Sequence, residues 1–200
     1  MYNHILLTKR GMDMVKLVDI AKIRLGYSFR ERLEEDEGGN LPIVQFKDLQ
    51  DSVFNNADNC TRLNADKIKP SHWLKCGEIL LSNRGNYKAA VNCCRYPCVA
   101  SGVFFVLTVQ DKNFLPEYIV TFLNSQEGQK SLTKRHNISG VGSINRVELE
   151  QIDIPLLPIE KQKQLVELFL LYEKEVDIFE KLKQSRKKLI NSILSQTIKE

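Results

Sequence analysis

The first 150 residues of the chain alternate short apolar runs with polar breaks, a pattern typical of a domain built on β-strands. Residues 41–49, 79–81 and 99–109 are rich in β-branched and aromatic side chains, and these three segments are predicted strands. Residues 15–25 alternate more loosely, which predicts a strand or a short helix at the entry to the domain.

Other segments of this half depart from the strand pattern. The polar stretches 31–40 and 55–64, and the glycine- and serine-containing stretch 129–146, are predicted loops. Residues 116–128 place their apolar side chains on one helical face, which predicts a helix that ends near Gly128. Residues 152–158 contain two prolines and are predicted to be extended, because each proline disfavours helix at the residue before it.

The pattern changes after Pro158. Residues 159–200 contain no glycine or proline, and their apolar residues recur in steps that are sums of three and four. This seam is interrupted only by Glu175 and Arg186 and is formed by Leu168, Tyr172, Phe179, Leu182, Leu189 and Ile193. A single helix of ~40 residues would be roughly 60 Å long, too long to bury its seam on the preceding domain. The seam therefore predicts a partner helix, from a second copy or from another protein. Two shorter helices joined within 173–183 are the alternative, and that stretch lacks glycine and proline.

These patterns divide the chain into an N-terminal tail (1–14), a folded domain (15–155) and a C-terminal helix (156–200). With 200 residues, 42% hydrophobic and 27% charged, the chain is an ordinary globular domain with an appendage, which excludes wholesale disorder. No apolar run approaches the ~18 residues of a membrane span, and residues 1–10 do not resemble a secretory signal, so a cytoplasmic protein without membrane partners is expected.

The net charge of +4 is the remainder of an uneven distribution. Residues 31–58 hold eight acidic and two basic residues, whereas no acidic residue occurs between Glu78 and Asp111 or between Glu127 and Glu148. These two acid-free windows contain Arg84, Lys88, Arg95, Lys130, Lys134, Arg135 and Arg146. Carboxylates near a bound phosphate repel it, so the windows predict one electropositive face suited to nucleic acid. Ordinary solvated charge is the alternative interpretation.

The same windows hold side chains suited to base recognition, because Arg pairs with guanine and Asn with adenine edges. Glycine and serine in 139–143 would let the backbone approach a phosphate, although such a stretch is often only a loop. The predicted DNA-contacting residues are Arg84, Asn86, Tyr87, Lys88, Lys130, Lys134, Arg135, His136, Asn137, Ser143 and Asn145.

Catalytic motifs are absent from the sequence. There is no phosphate-binding G-x-x-x-x-G-K-S/T loop, no G-x-G-x-x-G, and no histidine in an H-E-x-x-H context. The five cysteines are odd in number, which argues against a disulfide framework. Cys93, Cys94 and Cys98, with His72 and Cys76, leave a zinc site and a metal-dependent enzyme open as a minor alternative. Small buried apolar side chains are the favoured interpretation of the cysteines, so no metal is expected.

Six phrases, in order over residues 15–200, resemble the specificity subunits of type I restriction-modification systems. They are LVDI (17–20) with GYSF (26–29), CGEILLSNRG (76–85), VAS (99–101), YI and FLNS (118–125), Gly140 with IN (144–145), and IPLLPIEKQ (154–162). Glu78 replaces the aspartate that is commoner in the family, and Leu157 stands where proline is frequent.

The resemblance implies a mixed α/β fold. Its target-recognition domain would have a twisted, largely antiparallel sheet with flanking helices, followed by a long coiled-coil-like spacer helix. Family members typically carry two recognition domains and two spacers, and this chain shows one of each, which implies a half-length form. Two copies would pair through Leu168, Phe169, Tyr172, Phe179, Leu182, Leu189 and Ile193 as a homodimer.

The function implied is sequence-specific binding of double-stranded DNA without catalysis. Arg84 and Arg135 would read base edges, and the lysines would contact phosphates, which position the protein without specifying sequence. DNA methyltransferase subunits would dock on the dimer, with a restriction subunit as a further partner. S-adenosylmethionine would be bound by the methyltransferase and no cofactor by this chain. An adaptor that does not read DNA, and that captures or redirects specificity or methyltransferase subunits through the helix, is the alternative.

Overall fold

The computed structural model describes residues 13–29, 32–139 and 143–198, with only the backbone described at 135–139 and 197. The strands in this part of the chain are β1 (Met14–Lys16), β2 (Ala21–Leu25), β3 (Leu41–Val44), β4 (Val53–Phe54), β5 (Thr61–Leu63), β6 (Ile79–Ser82), β7 (Ala89–Asn92), β8 (Val99–Ala100), β9 (Phe104–Val109) and β10 (Asp153–Pro155). The α-helices are α1 (Leu17–Ile20), α2 (Pro116–Asn124), α3 (Gln126–Ser139), α4 (Arg146–Glu150) and α5 (Ile159–Thr197). Single 3-10 turns occur at Phe46–Asp48, Ala65–Lys67 and Pro70–His72.

Three sheets organise the domain. The central sheet has the strand order β2-β9-β6-β7-β4, and all its pairs are antiparallel except β4 with β7. A second sheet has the order β5-β3-β8, and β1 pairs with β10 to form a third. The pair of β1 and β10 brings the start of the described chain beside the segment that leads into α5.

The central sheet is buried on both faces. Ile79, Leu81 and Leu107 belong to a core shared with α2 and α4, whereas Leu80 and Val106 belong to a second core on the other face. Alternate residues of a strand point to opposite faces, so a sheet covered on both sides requires continuous apolar runs rather than alternation. This explains why residues 79–81 and 104–107 have no polar position.

α5 is one continuous helix of 39 residues, about 58 Å long, so the two-helix alternative is excluded. Its first turn is held to the domain by Gln162, which is completely buried. The Gln162 amide nitrogen donates to the carbonyls of Asn113 and Leu157, both at 2.7 Å, and its oxygen accepts from the Leu115 N–H at 2.9 Å. The hydroxyl of Tyr118, on α2, donates to the carbonyl of Pro155 at 2.9 Å.

The predicted loop over 129–146 is wrong for most of its length, because α3 extends to Ser139. Gly128 does not end a helix but lies in the first turn of α3, where a Cβ atom would lie 2.0 Å from the Phe122 carbonyl oxygen. The break between α2 and α3 is at Ser125, whose hydroxyl accepts from the Gly128 N–H at 3.2 Å. Gly128 is therefore required because α2 and α3 approach each other closely. In the sequence, a glycine at this position resembles a helix stop signal.

Residues 99–109 form two strands rather than one. A turn at Gly102 and Val103 separates β8 from β9, and the two strands belong to different sheets. The predicted loop 55–64 ends in β5, and the predicted strand 41–49 is shorter than expected, since β3 is followed by a 3-10 turn. The strands β4 and β7 were not predicted.

The expected fold class is confirmed, with mixed α/β structure, mainly antiparallel sheets and a long C-terminal helix. The division at 14/15 and 155/156 stays a prediction, and residues 1–12 of the predicted tail lie outside the described residues. In the part of the chain that the structure describes, no helix is both long and apolar enough to cross a membrane.

Candidate nucleic-acid interface and helical surface

The two acid-free windows meet at the tip of the β6–β7 hairpin. Arg84 and Ser143 form an isolated antiparallel β-bridge, and the Ile144 N–H donates to the Asn83 carbonyl at 3.1 Å. Gly85 adopts a positive φ of 70°, which lets the hairpin turn tightly. These contacts place segments that are sixty residues apart in sequence side by side.

The hairpin tip is held rigidly by its own hydrogen bonds. The Ser82 hydroxyl donates to the Asn86 carbonyl at 2.9 Å and accepts from the Lys88 N–H at 2.8 Å. On the other side, the Asn83 amide donates to the carbonyl of Gly102 at 3.0 Å. These hydrogen bonds order the tip, so it can hold an exposed side chain in a defined position.

Arg84 and Asn86 are the exposed members of this tip. Among the described residues, no carboxylate forms an ion pair with Arg84. An unpaired guanidinium on an ordered loop can bind a guanine edge or a phosphate bidentately.

Tyr87 is buried, with 6% of its surface exposed. Burial raises the pKa of its phenol, and its carbonyl accepts from the Gln129 side chain of α3 at 2.7 Å. Tyr87 therefore packs the hairpin onto α3, and its ring is not accessible to a nucleic acid in this conformation.

Lys88 is half-buried and lies toward α5. Its ammonium donates to the carbonyl of Gln50. Burial lowers the pKa of Lys88, and the nearby carboxylates of Asp51 and Glu173 act in the opposite direction. The Lys88 charge is thus already engaged within the protein.

α3 supplies further basic residues of the second window. Lys130 and Lys134 are four residues apart and exposed, so they share one face of α3. Lys130 forms an exposed ion pair with Glu127 at 3.2 Å, which is worth only ~0–1 kcal/mol and is easily exchanged for a phosphate. The side chains of Arg135, His136 and Asn137 lie outside the described residues.

The end of the second window has local structural roles. Asn145 caps α4, because its side-chain oxygen accepts from the Glu148 N–H at 2.9 Å while the Glu148 carboxylate accepts from the Asn145 N–H. Ser143 is half-buried beside Arg84. Arg146 forms an ion pair with Glu150 at 2.8 Å, so part of this positive charge is compensated.

Ser28 is a surface residue at this end that sequence reasoning did not select. It is exposed, and a Cβ atom built on Gly102 would lie 3.1 Å from its hydroxyl oxygen. Tyr27, its neighbour, forms a β-bridge with Ser101. In the sequence, this segment was marked by the phrase GYSF at 26–29. The phrase does not show what the segment packs against.

The cysteines do not form a metal site in the described residues, where no group of three or more His, Cys, Asp or Glu side chains is arranged to hold a metal ion. Cys60, Cys94 and Cys98 are buried in the second core. Burial is the main cause that raises the pKa of Cys60 and of Cys98 to about 12, so both remain protonated thiols. They behave as small apolar side chains.

α5 has two surfaces of different character. Near the N-terminal end of α5, Val166 packs on the domain core and Phe169 is half-buried. Residues 174–196 are all exposed. The seam residues on this helix have more than two fifths of their surface in solvent: Leu168 65%, Tyr172 59%, Phe179 60%, Leu182 44%, Leu189 61% and Ile193 53%. Large exposed apolar surfaces of this kind are typical of interaction sites.

Comparison with known proteins adds a family and a fold. Residues 9–188 match the family model described as the type I restriction modification DNA specificity domain. No protein with a curated function matches the chain.

Three solved structures share the fold at low sequence identity. The HsdS subunit from Thermoanaerobacter tengcongensis has a TM-score of 0.59 at 21% identity, over 86% of this chain and 39% of that one. A chain from a study of complex assembly and conformational transition of the type I R-M system has a TM-score of 0.62 at 20% identity, over 90% and 43%. The S subunit from M. genitalium has a TM-score of 0.57 at 14% identity, over 86% and 41%. The chain spans about two fifths of the length of these structures.

Proposed function

Because the chain belongs to the family of type I restriction modification DNA specificity domains, we propose that it binds a specific double-stranded DNA sequence as a half-length specificity subunit. The family provides specificity rather than catalysis, in agreement with the expectation of a non-catalytic chain. The observation that carries the proposal is the meeting of two acid-free basic segments at the exposed hairpin tip of Arg84 and Asn86.

The DNA would lie across the hairpin tip and the exposed face of α3. Arg84 would read a base edge, Asn86 would assist it, and Lys130 and Lys134 would bind phosphates. Arg135, His136 and Asn137 continue the same segment and are proposed contacts on the ground of sequence. We propose that Tyr87, Lys88 and Asn145 support these loops, since their side chains are engaged within the domain.

Dimerisation would follow from the exposed seam of α5. Leaving Phe179 and Leu189 about 60% exposed forgoes roughly 1–2 kcal/mol of burial at each. A second copy of α5 would cover the seam as a coiled coil and place two recognition domains on one DNA molecule. A two-fold symmetric pair reads a symmetric, interrupted site.

The wider assembly is also a proposal. DNA methyltransferase subunits carrying S-adenosylmethionine would dock on the dimer, and a restriction subunit would be a further partner. Support comes from the family and from the structural neighbour whose study concerns assembly of a type I R-M system. Such a role implies action in the cytoplasm, where the DNA is.

The second candidate function is that of an adaptor that does not read DNA. The observation in its favour is that the apolar surface of residues 174–196 needs a helical partner whether or not the domain binds DNA. In that case α5 would capture a specificity or methyltransferase subunit and redirect it.

Selection of bound duplexes from a random pool by the full chain tests the proposal. We expect one interrupted motif. The logarithm of the binding constant should fall linearly with the logarithm of salt concentration, because several phosphates are contacted. The selection is run with the chain alone and with a methyltransferase subunit added. Absence of salt-sensitive binding in both arms would replace DNA recognition with the adaptor function.

A further inference from the structure

Glu173 attaches α5 to the edge of the central sheet. One oxygen of its carboxylate accepts from the Ser52 N–H at 3.2 Å, and the other accepts from the Ser52 hydroxyl. Ser52 is buried and precedes β4, and its carbonyl accepts from the Val91 N–H of β7 at 2.8 Å. The contact therefore joins the helix to a rigid part of the domain rather than to a loose loop.

Lys88 supports this contact from the domain side. Its ammonium binds the carbonyl of Gln50, two residues before Ser52, and lies close to the Glu173 and Asp51 carboxylates. The Lys88 ammonium attracts both carboxylates. We call Ser52, Lys88 and Glu173 the clasp.

Among the described residues, the clasp lies C-terminal to Gln162 and to Val166, which packs on the domain core. Gln162 fixes the first turn, and Glu173 lies 11 residues later, about 16 Å along the axis. Contacts confined to the first turns of a helix leave its direction less defined than contacts that continue further along it. Past Glu173 the helix extends through residues 174–196 without burial, roughly 35 Å.

A small change in the direction of α5 becomes large at its far end. A tilt of about 10° at Glu173 moves the end of a 35 Å arm by roughly 6 Å. The rise of DNA is about 3.4 Å per base pair, so this displacement corresponds to about two base pairs.

We propose that the clasp of Ser52, Lys88 and Glu173 sets the angle at which α5 leaves the domain, and thereby the spacing between the two half-sites that a dimer accepts. The inference rests on the proposed function, because it needs two DNA-binding domains joined through α5. Glu173 is a positioning residue, since it contacts the domain and not the DNA.

The angle is tested without DNA by measuring distances between two spin labels in the full chain. One label is placed on Cys76, which is exposed, in a Cys93→Ser background, and the other on a Lys187→Cys substitution. Labelled chains are diluted with unlabelled ones so that distances within one chain dominate. We expect a narrow distribution in the parent, at least twice that width in Glu173→Ala, and an intermediate width in Ser52→Ala, which keeps its N–H donor.

Glu180→Ala is the matched control, because it removes the same charge from the same helix at an exposed position where, among the described residues, Glu180 forms its ion pair with Lys183 of the helix itself. Alanine preserves the helix in both variants. Equal widths in the parent, Glu173→Ala and Glu180→Ala would overturn the clasp.

Selection of DNA from a random pool then tests the consequence. We expect the parent and Glu180→Ala to select one spacing between half-sites, and Glu173→Ala to select two or more spacings with unchanged half-site sequences. Retention of one spacing by Glu173→Ala would refute the link to specificity. If the parent selects no DNA, the proposed function fails, while the label distances still decide whether the clasp holds the helix.

Discussion

The folded domain and the exposed part of α5 (174–196) use the same apolar residue types in opposite environments. Phe104 is completely buried in the domain, whereas Phe179 is 60% exposed on the helix. Burial of such a side chain contributes about 1.5–3 kcal/mol. The domain therefore contains the contacts that stabilise it, whereas the helix leaves apolar surface exposed.

Charged groups show the same contrast. In the domain, the buried carboxylate of Glu78 accepts from Arg24 at 3.0 Å, from the Lys75 N–H at 2.9 Å and from Thr108 at 2.9 Å, so it ties together distant segments. Beyond Glu173, the ion pairs of α5 are exposed and join residues three or four apart. Such local pairs support a helix by a few tenths of a kcal/mol each but do not orient it. We propose that the clasp orients α5, together with Gln162 and the packing of Val166 on the core.

The largest effect is expected from acidic residues in the seam. Phe179→Asp combined with Leu182→Asp should dissociate a homodimer, with at least a ~100-fold loss of affinity, because each copy would bury unpaired carboxylates. Sedimentation at micromolar concentration should then show a 23.1 kDa particle. Gln184→Asp combined with Asn191→Asp adds the same charge on the opposite face and should leave the dimer intact. A 23.1 kDa particle for the unaltered chain would disprove the homodimer.

A smaller effect separates the core from the helix. Phe104→Ala should lower the free energy of unfolding of the domain by about 3–5 kcal/mol, since it leaves a cavity between packed side chains. Phe179→Ala should change the same quantity by less than ~0.5 kcal/mol in dilute protein. Denaturant titration followed by the fluorescence of Trp73, the only tryptophan, measures both. Similar losses in the two variants would mean that the seam is part of the domain core.

The smallest effect concerns the proposed DNA-binding face. Arg84→Ala should weaken binding of the selected site by ~1–3 kcal/mol and relax the preference at one base position. Arg95→Ala is the control, because Arg95 is exposed in the same acid-free window but follows β7, at the other end of the sheet. Binding titrations on matched and singly mismatched duplexes compare the variants. Equal losses would indicate diffuse attraction rather than base recognition.

Much of the fold could be predicted because its signals are local. The strand β6 and the continuous helix α5 follow from residue type and spacing alone. α3 was missed because Gly128 resembles a helix stop, and its role in packing against α2 depends on a contact with Phe122. β7, with the sequence AAVN, has weak strand propensity and becomes a strand because β6 and β4 pair with it.

The positive charge of the candidate site could be predicted from the sequence, but the directions of its side chains could not. Arg84, Tyr87 and Lys88 lie within five residues, yet one is exposed at the tip, one is buried against α3 and one lies near α5. Neighbouring residues at the start of a strand point to opposite faces, so the register of β7 decides which side chain reaches the surface. The composition of the segment does not show which side chain reaches the surface.

The sequence by itself determined the helix, its apolar seam, the two acid-free windows and the phrases that identify the family. Each of these depends on neighbours within a few turns or on the order of residues along the chain. Only the tertiary structure decided that the windows meet at Arg84 and Ser143, that Lys88 faces α5, and that Glu173 holds the helix to Ser52. These contacts join residues between 59 and 121 positions apart, and the strand pairing and helix packing that bring them together have no local signature.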